Sequence, residues 1–352
     1  VWSGELLTSR KIRNIYGFDK CGYTETLELE LYSYLKKSKS IYHSLSKQSE
    51  LLTVVDGCLQ KIENNYRKGS ELPSNHYSIN KIVHKLRLIK SNEEIAIIKK
   101  ACKISADAHI NLMRKCKPNI SEKKIESQLL YDFGSNNATE AYTSIVAGGK
   151  NACILHYIDN SSNLKNGDLL LTDAACEFEY YASDITRTIP INGRFTQDQK
   201  LIYSLVLQAQ KNAISKCIVG NTLQDVHKAA VRTLTKGLID LDLLRGDYKS
   251  IVKNELYKKF YMHNTGHWMG LDVHDPLEYV CDGKPIKLKP GMIFTVEPGL
   301  YIRADKDVNK RFHNIGIRIE DDILITKNGP DVLTSRAPKE IRDIENTMNN
   351  IK

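Results

Sequence analysis

The run GDLLLTDAACEFEYYASDITRTIPI (167–191) decides the fold. Its two flanks, GDLLLTDAA (167–175) and YASDITRTIPI (181–191), have the β-branched and aromatic content of paired strands. Each flank also holds an acid inside an apolar stretch, Asp173 in the first and Asp184 in the second. A carboxylate in a core-like strand is costly unless it is paired, hydrogen-bonded or bound to a metal. One such acid is an ordinary turn or cap, but here the pattern recurs along the chain.

Three more strand-like segments follow, HNTGHWMGLDVH (263–274), GMIFTVEPGLYI (291–302) and IGIRIEDDILIT (315–326). They place His267, Glu297 and Glu320 inside or beside apolar runs. Between the two strand-rich regions, FTQDQKLIYSLVLQAQKNAISKCI (195–218) reads as a long amphipathic helix. Upstream, Ile95, Ile98, Ala101, Ile104 and Ala108 recur at helical spacing from Ser91 to Cys116. Ser91 is placed as the N-cap, and Glu93-Glu94 in the first turn suits the helix dipole. The order helix, strands, helix, strands thus occurs twice and suggests a duplicated half. The pattern changes near residue 87. Residues 1–86 mix short apolar runs such as SIYHSL (40–45) and LLTVV (51–55) with polar turns, as a smaller α/β domain does. Two domains are expected, 1–86 and 87–352, in line with about 150 residues per domain.

Composition excludes several classes. The chain is 41% hydrophobic and 26% charged, enough apolar residue to fill a core. No run approaches the roughly 18 apolar residues of a membrane helix, so no membrane span is expected. A net charge of +9 raises nucleic acid as a partner, but the lysines are spread among acids, as in Lys99-Lys100 after Glu93-Glu94. A solvated surface and no nucleic-acid partner are the expectation. The eight cysteines are scattered with no C-x-x-C pair, which fits thiols in a reducing, cytoplasmic compartment. The opening VWSGEL (1–6) reads as the inside of a folded unit, which leaves room for a preceding targeting segment.

Four carboxylates and one imidazole form a coherent ligand set. Oxygen-rich sites with some nitrogen suit Mn2+, and Co2+, Fe2+ or Zn2+ also occupy them. Carboxylates can bridge two cations, which imidazole cannot. Two ions about 3.5–4 Å apart can hold a hydroxide and stabilise the oxyanion formed when it attacks a carbonyl. Neither a G-x-S-x-G elbow nor a phosphate-binding P-loop is present, so metal-assisted hydrolysis needs no competing nucleophile.

The spacing Asp173–Asp184–His267–Glu297–Glu320 resembles the ligand pattern of the pita-bread metallopeptidases, which include aminopeptidase P, prolidase and methionine aminopeptidase. The strings ILHYIDN (154–160), DITRTIPINGRFT (184–196), GHWMGLDVHD (266–275), FTVEPGLYI (294–302) and GIRIEDDILIT (316–326) are most similar to bacterial aminopeptidase P. The resemblance runs from about residue 1 to 345. It implies an α+β fold: a pita-bread, creatinase/aminopeptidase-like catalytic domain preceded by a partial smaller α/β N-terminal domain. It also implies Xaa-Pro aminopeptidase activity with two divalent ions, Mn2+ foremost, in a homo-oligomer, dimer or tetramer.

By the same resemblance Asp173 chelates one metal, Asp184 and Glu320 bridge both, and His267 and Glu297 complete the second site. Glu297 is also similar to the residue that shuttles a proton, and His274 to the one that stabilises the tetrahedral intermediate. His156, His263, Tyr301 and Arg318 match positions that orient substrate or support the ligands, His156 and Arg318 being counted with the catalytic set. Arg318 alternatively acts only as an ion-pair partner for Glu320, two residues along the same strand face. Trp2 resembles a tryptophan that reaches a neighbouring subunit's pocket; the alternative is a Trp packing its own domain. Asp272, Asp275, Asp321 and Asp322 read as hydrogen-bonding or surface residues. Ala175, Tyr180 and Ser183 depart from the pattern, standing where relatives commonly have glycine, and a Cβ there restricts a backbone needing positive φ.

Proline specificity rests on the resemblance, because an X-Pro bond is a tertiary amide without an N–H and needs apolar walls around its ring. The rival activities are prolidase, which cuts dipeptides only, and methionine aminopeptidase, which lacks such an N-terminal domain. The rival of another kind is a non-catalytic scaffold binding protein or RNA.

Overall fold

The structure, a computed structural model, describes residues 7–44 and 50–349. The chain forms two compact units, Val1–Val83 and His84–Lys352. In the first unit, helices Ser9–Tyr16, Leu27–Leu35 and Glu50–Asn64 accompany two parallel strands, Ser40–His43 and Asn75–Ser78. Its core is small, with Leu35, Cys58 and Ile62 fully enclosed. Of the apolar runs in this region, SIYH becomes a strand and LLTVV the start of a helix.

The second unit opens with helix Asn92–Lys115, capped as the sequence predicts. Ser91 Oγ accepts from the Glu94 amide and the Glu94 carboxylate accepts from the Ser91 amide. Ile98, Ala101, Ile104 and Ala108 are buried on its inner face. Helix Glu122–Gly134 follows. The second half opens with helices Gln197–Ile214 and Leu223–Asp240, each started by a capping box, Thr196 with Gln199 and Thr222 with Asp225. The predicted 195–218 helix is therefore shorter at both ends.

The strands gather into small antiparallel sheets. One has the order Ile145–Gly148, Leu169–Asp173, Thr186–Pro190, and another Ile293–Val296, Asp321–Thr326, Gly329–Val332. Gly299–Ile302 pairs with Ile315–Arg318 in a further antiparallel sheet. Each predicted strand run stops at its acid. Asp173 is the last residue of its strand, and Asp184, Glu297 and Glu320 each lie between two strand pieces. There the backbone leaves its own ladder. The amide of Asp184 donates to Asp322 Oδ2 at 2.9 Å, that of Glu297 to Thr265 O at 2.8 Å, and that of Glu320 to Thr186 O at 3.1 Å.

One expectation fails. HNTGHWMGLDVH (263–274) is not a strand and contributes only an isolated bridge, Trp268 to Phe294. It still runs beside strand Ile293–Val296, with Thr295 N donating to His267 O and Met269 N to Ile293 O. Gly266 explains the interruption: a Cβ there would sit 1.8 Å from Thr295 O, so the two backbones approach closer than side chains on a pleated ladder allow. Of the three positions lacking the expected glycine, only Tyr180 is left-handed, at φ 70°, beside Glu179 at φ 48° in the tip between strands Cys176–Phe178 and Tyr181–Ala182. Ala175 and Ser183 need no such freedom.

Candidate metal centre

Asp173, Asp184, His267, Glu297 and Glu320 all line one cavity of about 580 Å3 in the second unit. Ligand atoms of Asp184, His267 and Glu320 lie within 4.8 Å of one another. His267 Nδ1 faces Trp268 O at 3.2 Å, and since a carbonyl only accepts, Nδ1 carries the hydrogen. That leaves Nε2 turned to Asp184 Oδ2 at 3.4 Å and Glu297 Oε1 at 3.8 Å. A ligating imidazole is oriented in this way, by giving its other N–H to a backbone carbonyl.

The electrostatics point the same way. Burial raises Asp173 above the usual carboxylate range even against Arg318, and burial with the surrounding acids raises Glu320 well above it. Burial lifts Glu297 to about 7, although His267 and Arg318 pull it down. Burial works against the charged form of His267, but the bond to Asp184 and the charges of Glu297 and Asp184 outweigh it and raise the ring to about 9. Four enclosed acids with one histidine and one arginine lack positive charge, and divalent cations supply it. Donor types, tautomer and charge deficit together fit a metal centre.

Arg318 is buried and reaches three strands. It donates to Asp173 Oδ2 at 2.5 Å, Tyr301 Oη at 2.9 Å and Thr186 Oγ1 at 3.0 Å, and Thr186 Oγ1 donates to Glu320 Oε2 at 2.6 Å. Its ion-pair partner is thus Asp173, with Glu320 reached through Thr186, because the guanidinium extends across to the facing strands rather than along its own. His156, His263 and His274 line the same cavity. His263 Nδ1 donates to Asn264 O at 2.7 Å, so Nε2 accepts from Tyr301 Oη at 2.8 Å. Burial lowers His263 to about 3, which keeps that ring neutral. The His274 ring stands edge-on to His267 with centroids 4.2 Å apart. Tyr301 is buried and lies behind the cavity wall, backing His263 and Arg318 instead of facing the space. Trp2 lies outside the described residues.

Sequence reasoning missed Tyr142 and Arg187, and left open a surface place for Asp275 and Asp321, which are buried. Tyr142 lines the cavity with Oη 2.6 Å from Asp173 Oδ1 and 2.5 Å from Asp184 Oδ1. Nothing in EAYTSI (140–145) marks it. Arg187 and Asp321 form a buried ion pair at 2.7 Å, joined by Lys339, and Arg187 Nη1 also donates to Glu320 O at 2.5 Å. Arg187 in ITRTI and Asp321 in IEDDI, charged residues inside strand runs, were the available signal. Asp275, beside His274, is enclosed and paired with Arg87 and with Lys90, whose ammonium burial lowers.

The chain's similarities agree with this centre. Residues 96–327 match the model of metallopeptidase family M24. The chain is 49% identical over 269 residues to the Xaa-Pro aminopeptidase of Haemophilus influenzae, covering 76% of this chain and 62% of that one. It is 38% identical over 349 residues to the Xaa-Pro aminopeptidase of Escherichia coli, covering 99% of this chain and 79% of that one. The solved structure of aminopeptidase PepP from Pseudomonas aeruginosa superposes with a TM-score of 0.96 at 41% identity, again over 99% and 79%. The fold is therefore the α+β pita-bread fold expected from the sequence. With Asp173, Asp184, His267, Glu297 and Glu320 gathered in one cavity of that fold, the chain belongs to metallopeptidase family M24.

Proposed function

We propose that this chain is an Xaa-Pro aminopeptidase, a hydrolase that releases the first residue of peptides whose second residue is proline. The observation that carries the reading is the convergence of Asp173, Asp184, His267, Glu297 and Glu320 in a cavity also walled by His156, His263 and His274. Those five would hold two divalent ions, of which Mn2+ best suits four carboxylates and one imidazole. Bound there, the ions supply the activated water and the charge that offsets a developing oxyanion.

The remaining roles belong to the protein. Glu297 turns Oε1 toward His267 and Oε2 toward His263, so Oε2 is the atom that takes a proton from the attacking water and hands it to the departing proline nitrogen. His274 donates toward the carbonyl oxygen under attack. His156 and His263 orient the peptide, His263 through its ring face because both nitrogens are engaged within the protein. Arg318 and Tyr301 hold Asp173 and His263 in place. Ile145, Leu155, Ile158, Val273 and Tyr279 give the cavity apolar walls for a pyrrolidine ring, which offers no N–H to a polar pocket.

Residues 1–86 are read as the N-terminal domain and 87–352 as the catalytic one. A cytoplasmic homo-oligomer, dimer or tetramer, completes the proposal, with Trp2 as a candidate contact to a neighbour's pocket. Among the described residues no helix is long and apolar enough to cross a membrane. The deciding experiment is hydrolysis of Gly-Pro-Gly and Gly-Pro with and without added manganese. Manganese-dependent release of glycine from the tripeptide supports the proposal; cleavage of the dipeptide alone makes the chain a prolidase. Light scattering gives the oligomer, and a strictly monomeric active enzyme removes the role of Trp2.

A further inference from the structure

The side chain of His156 is exposed to the cavity and makes no hydrogen bond among the described residues. Its position is therefore set by the backbone of the loop that carries it. That loop leaves strand Ile145–Gly148, passes through the short helix Gly149–Cys153, and returns past Ser162. One side chain from another element holds both of its ends. Glu122, the first residue of helix Glu122–Gly134, is fully enclosed. Its Oε1 accepts from the Gly148 amide at 2.7 Å and Asn151 Nδ2 at 3.0 Å; its Oε2 accepts from Tyr157 Oη at 2.8 Å and the Ser162 amide at 2.8 Å. The Glu122 amide in turn donates to Ser162 O at 2.9 Å.

We propose that Glu122 is a positioning residue that fixes His156 in the substrate cavity by clamping both ends of the 148–162 loop. A carboxylate has about four acceptor sites, and here all four are filled by donors from this one loop. Tyr157 is buried where its neighbour His156 is exposed, so anchoring the phenol inward turns the imidazole outward. Asn160 reinforces the far side, with Oδ1 accepting from Val146 N at 2.9 Å and Nδ2 donating to Ser144 O at 2.8 Å. Glutamine at 122 keeps the size but offers half the acceptor sites and turns an amide N–H2 toward two donors. The loop then has to move, and misplacing a substrate-orienting group by about 1 Å costs on the order of 10²-fold in rate.

The inference rests on the role proposed above for His156, and a double-mutant cycle tests it. Glu122→Gln and His156→Ala should each lower kcat/KM on an Xaa-Pro tripeptide, with metal content unchanged, and the double variant should be no slower than His156→Ala. Tyr157→Phe, which removes one of the four bonds and no carbon, should move in the same direction by less. A fully additive double variant means that Glu122 acts by some other route and overturns the proposal, as does wild-type kcat/KM in Glu122→Gln. Should the wild-type chain leave Xaa-Pro peptides intact, the proposed function fails by itself. Hydrogen exchange then decides the clamp: Glu122→Gln should speed exchange of the Gly148 and Ser162 amides but not that of helix Gln197–Ile214. Unchanged protection at those two amides overturns it.

Discussion

Asp321→Asn tests whether the buried charge pair behind the metal centre holds the second unit together. Asp321 is fully enclosed and accepts from Arg187 Nη2 and Thr334 Oγ1 at 2.7 Å, Gln210 Nε2 at 2.8 Å and Lys339 Nζ at 2.5 Å. Asparagine preserves the shape but removes the negative charge. That leaves Arg187, with 1% of its side chain exposed, and the partly buried Lys339 without a counter-ion. Breaking a buried pair from one side costs about 3–5 kcal/mol. Against a total stability of about 5–15 kcal/mol this is a large share. At about 2–4 °C per kcal/mol for a unit of this size, the melting temperature should fall by roughly 6–20 °C.

The measurement is thermal or urea denaturation of metal-free protein, so that ion binding does not mask the loss. Adding Arg187→Met should cost less in the Asp321→Asn background than in wild type, because the stranded cation is then gone. Burial by itself would raise the Asp321 carboxyl, but Arg187 and Lys339 outweigh it and hold it far below the usual range. A depressed carboxylate stabilises the fold above its unfolded pKa, about 4, and that stability is lost only as pH falls through the much lower folded value. The gap between wild type and variant should therefore persist at pH ~5 and close only in strong acid. A variant within about 1 kcal/mol of wild type, or strict additivity with Arg187→Met, refutes this reasoning.

Three further outcomes are expected. Glu297→Gln should keep the fold and some metal but lose about 10²–10⁴ in turnover, the range of a lost general acid–base; a wild-type rate removes Glu297 from the proton path. Burial lowers His109 to about 4, outweighing its bond to Ala174 O, while the unfolded ring sits near 6.5. The unfolded state therefore binds more protons in that window, and up to roughly 3 kcal/mol of stability should be lost as pH falls from about 6.5 to 4. His109→Gln should flatten that slope in denaturation curves, and an unaltered slope contradicts the assignment. Tyr180 is left-handed and 78% exposed, so Tyr180→Gly loses little packing and should gain about 0.5–1 kcal/mol in the same melts; a lower melting temperature would show that the ring has a hidden partner.

The convergence of the acids was legible because a charge inside an apolar, β-branched run is conspicuous at any of the four positions. The start of helix Asn92–Lys115 was legible too, since Ser91 and its acidic first turn act over three residues. What escaped depends on distance along the chain. Tyr142 reaches acids 31 and 42 residues away, and Arg187 meets Asp321 across 134. Neither has a local periodicity to announce it. Glu122 carries no local signal, because its four donors come from a loop that sequence alone does not fold back. The segment 263–274 misled for the opposite reason. Its local pattern suggested a strand, and only the close approach of Gly266 to Thr295 excludes one.

The positions at which the strands stop have a consequence for how the second unit can be divided. Glu320 N reaches Thr186 O, Ile319 N reaches Pro298 O, and Asp184 N reaches the Asp322 carboxylate, so the bonds beside the acids are those that sew separate sheets together. The candidate centre is a seam between both halves of the unit: Asp173 and Asp184 arrive on one side, His267, Glu297 and Glu320 on the other. Split after helix Gln197–Ile214, neither piece would keep a weakened cage. Each would carry only part of the set, and recombining the pieces would restore fold and cation affinity in one step.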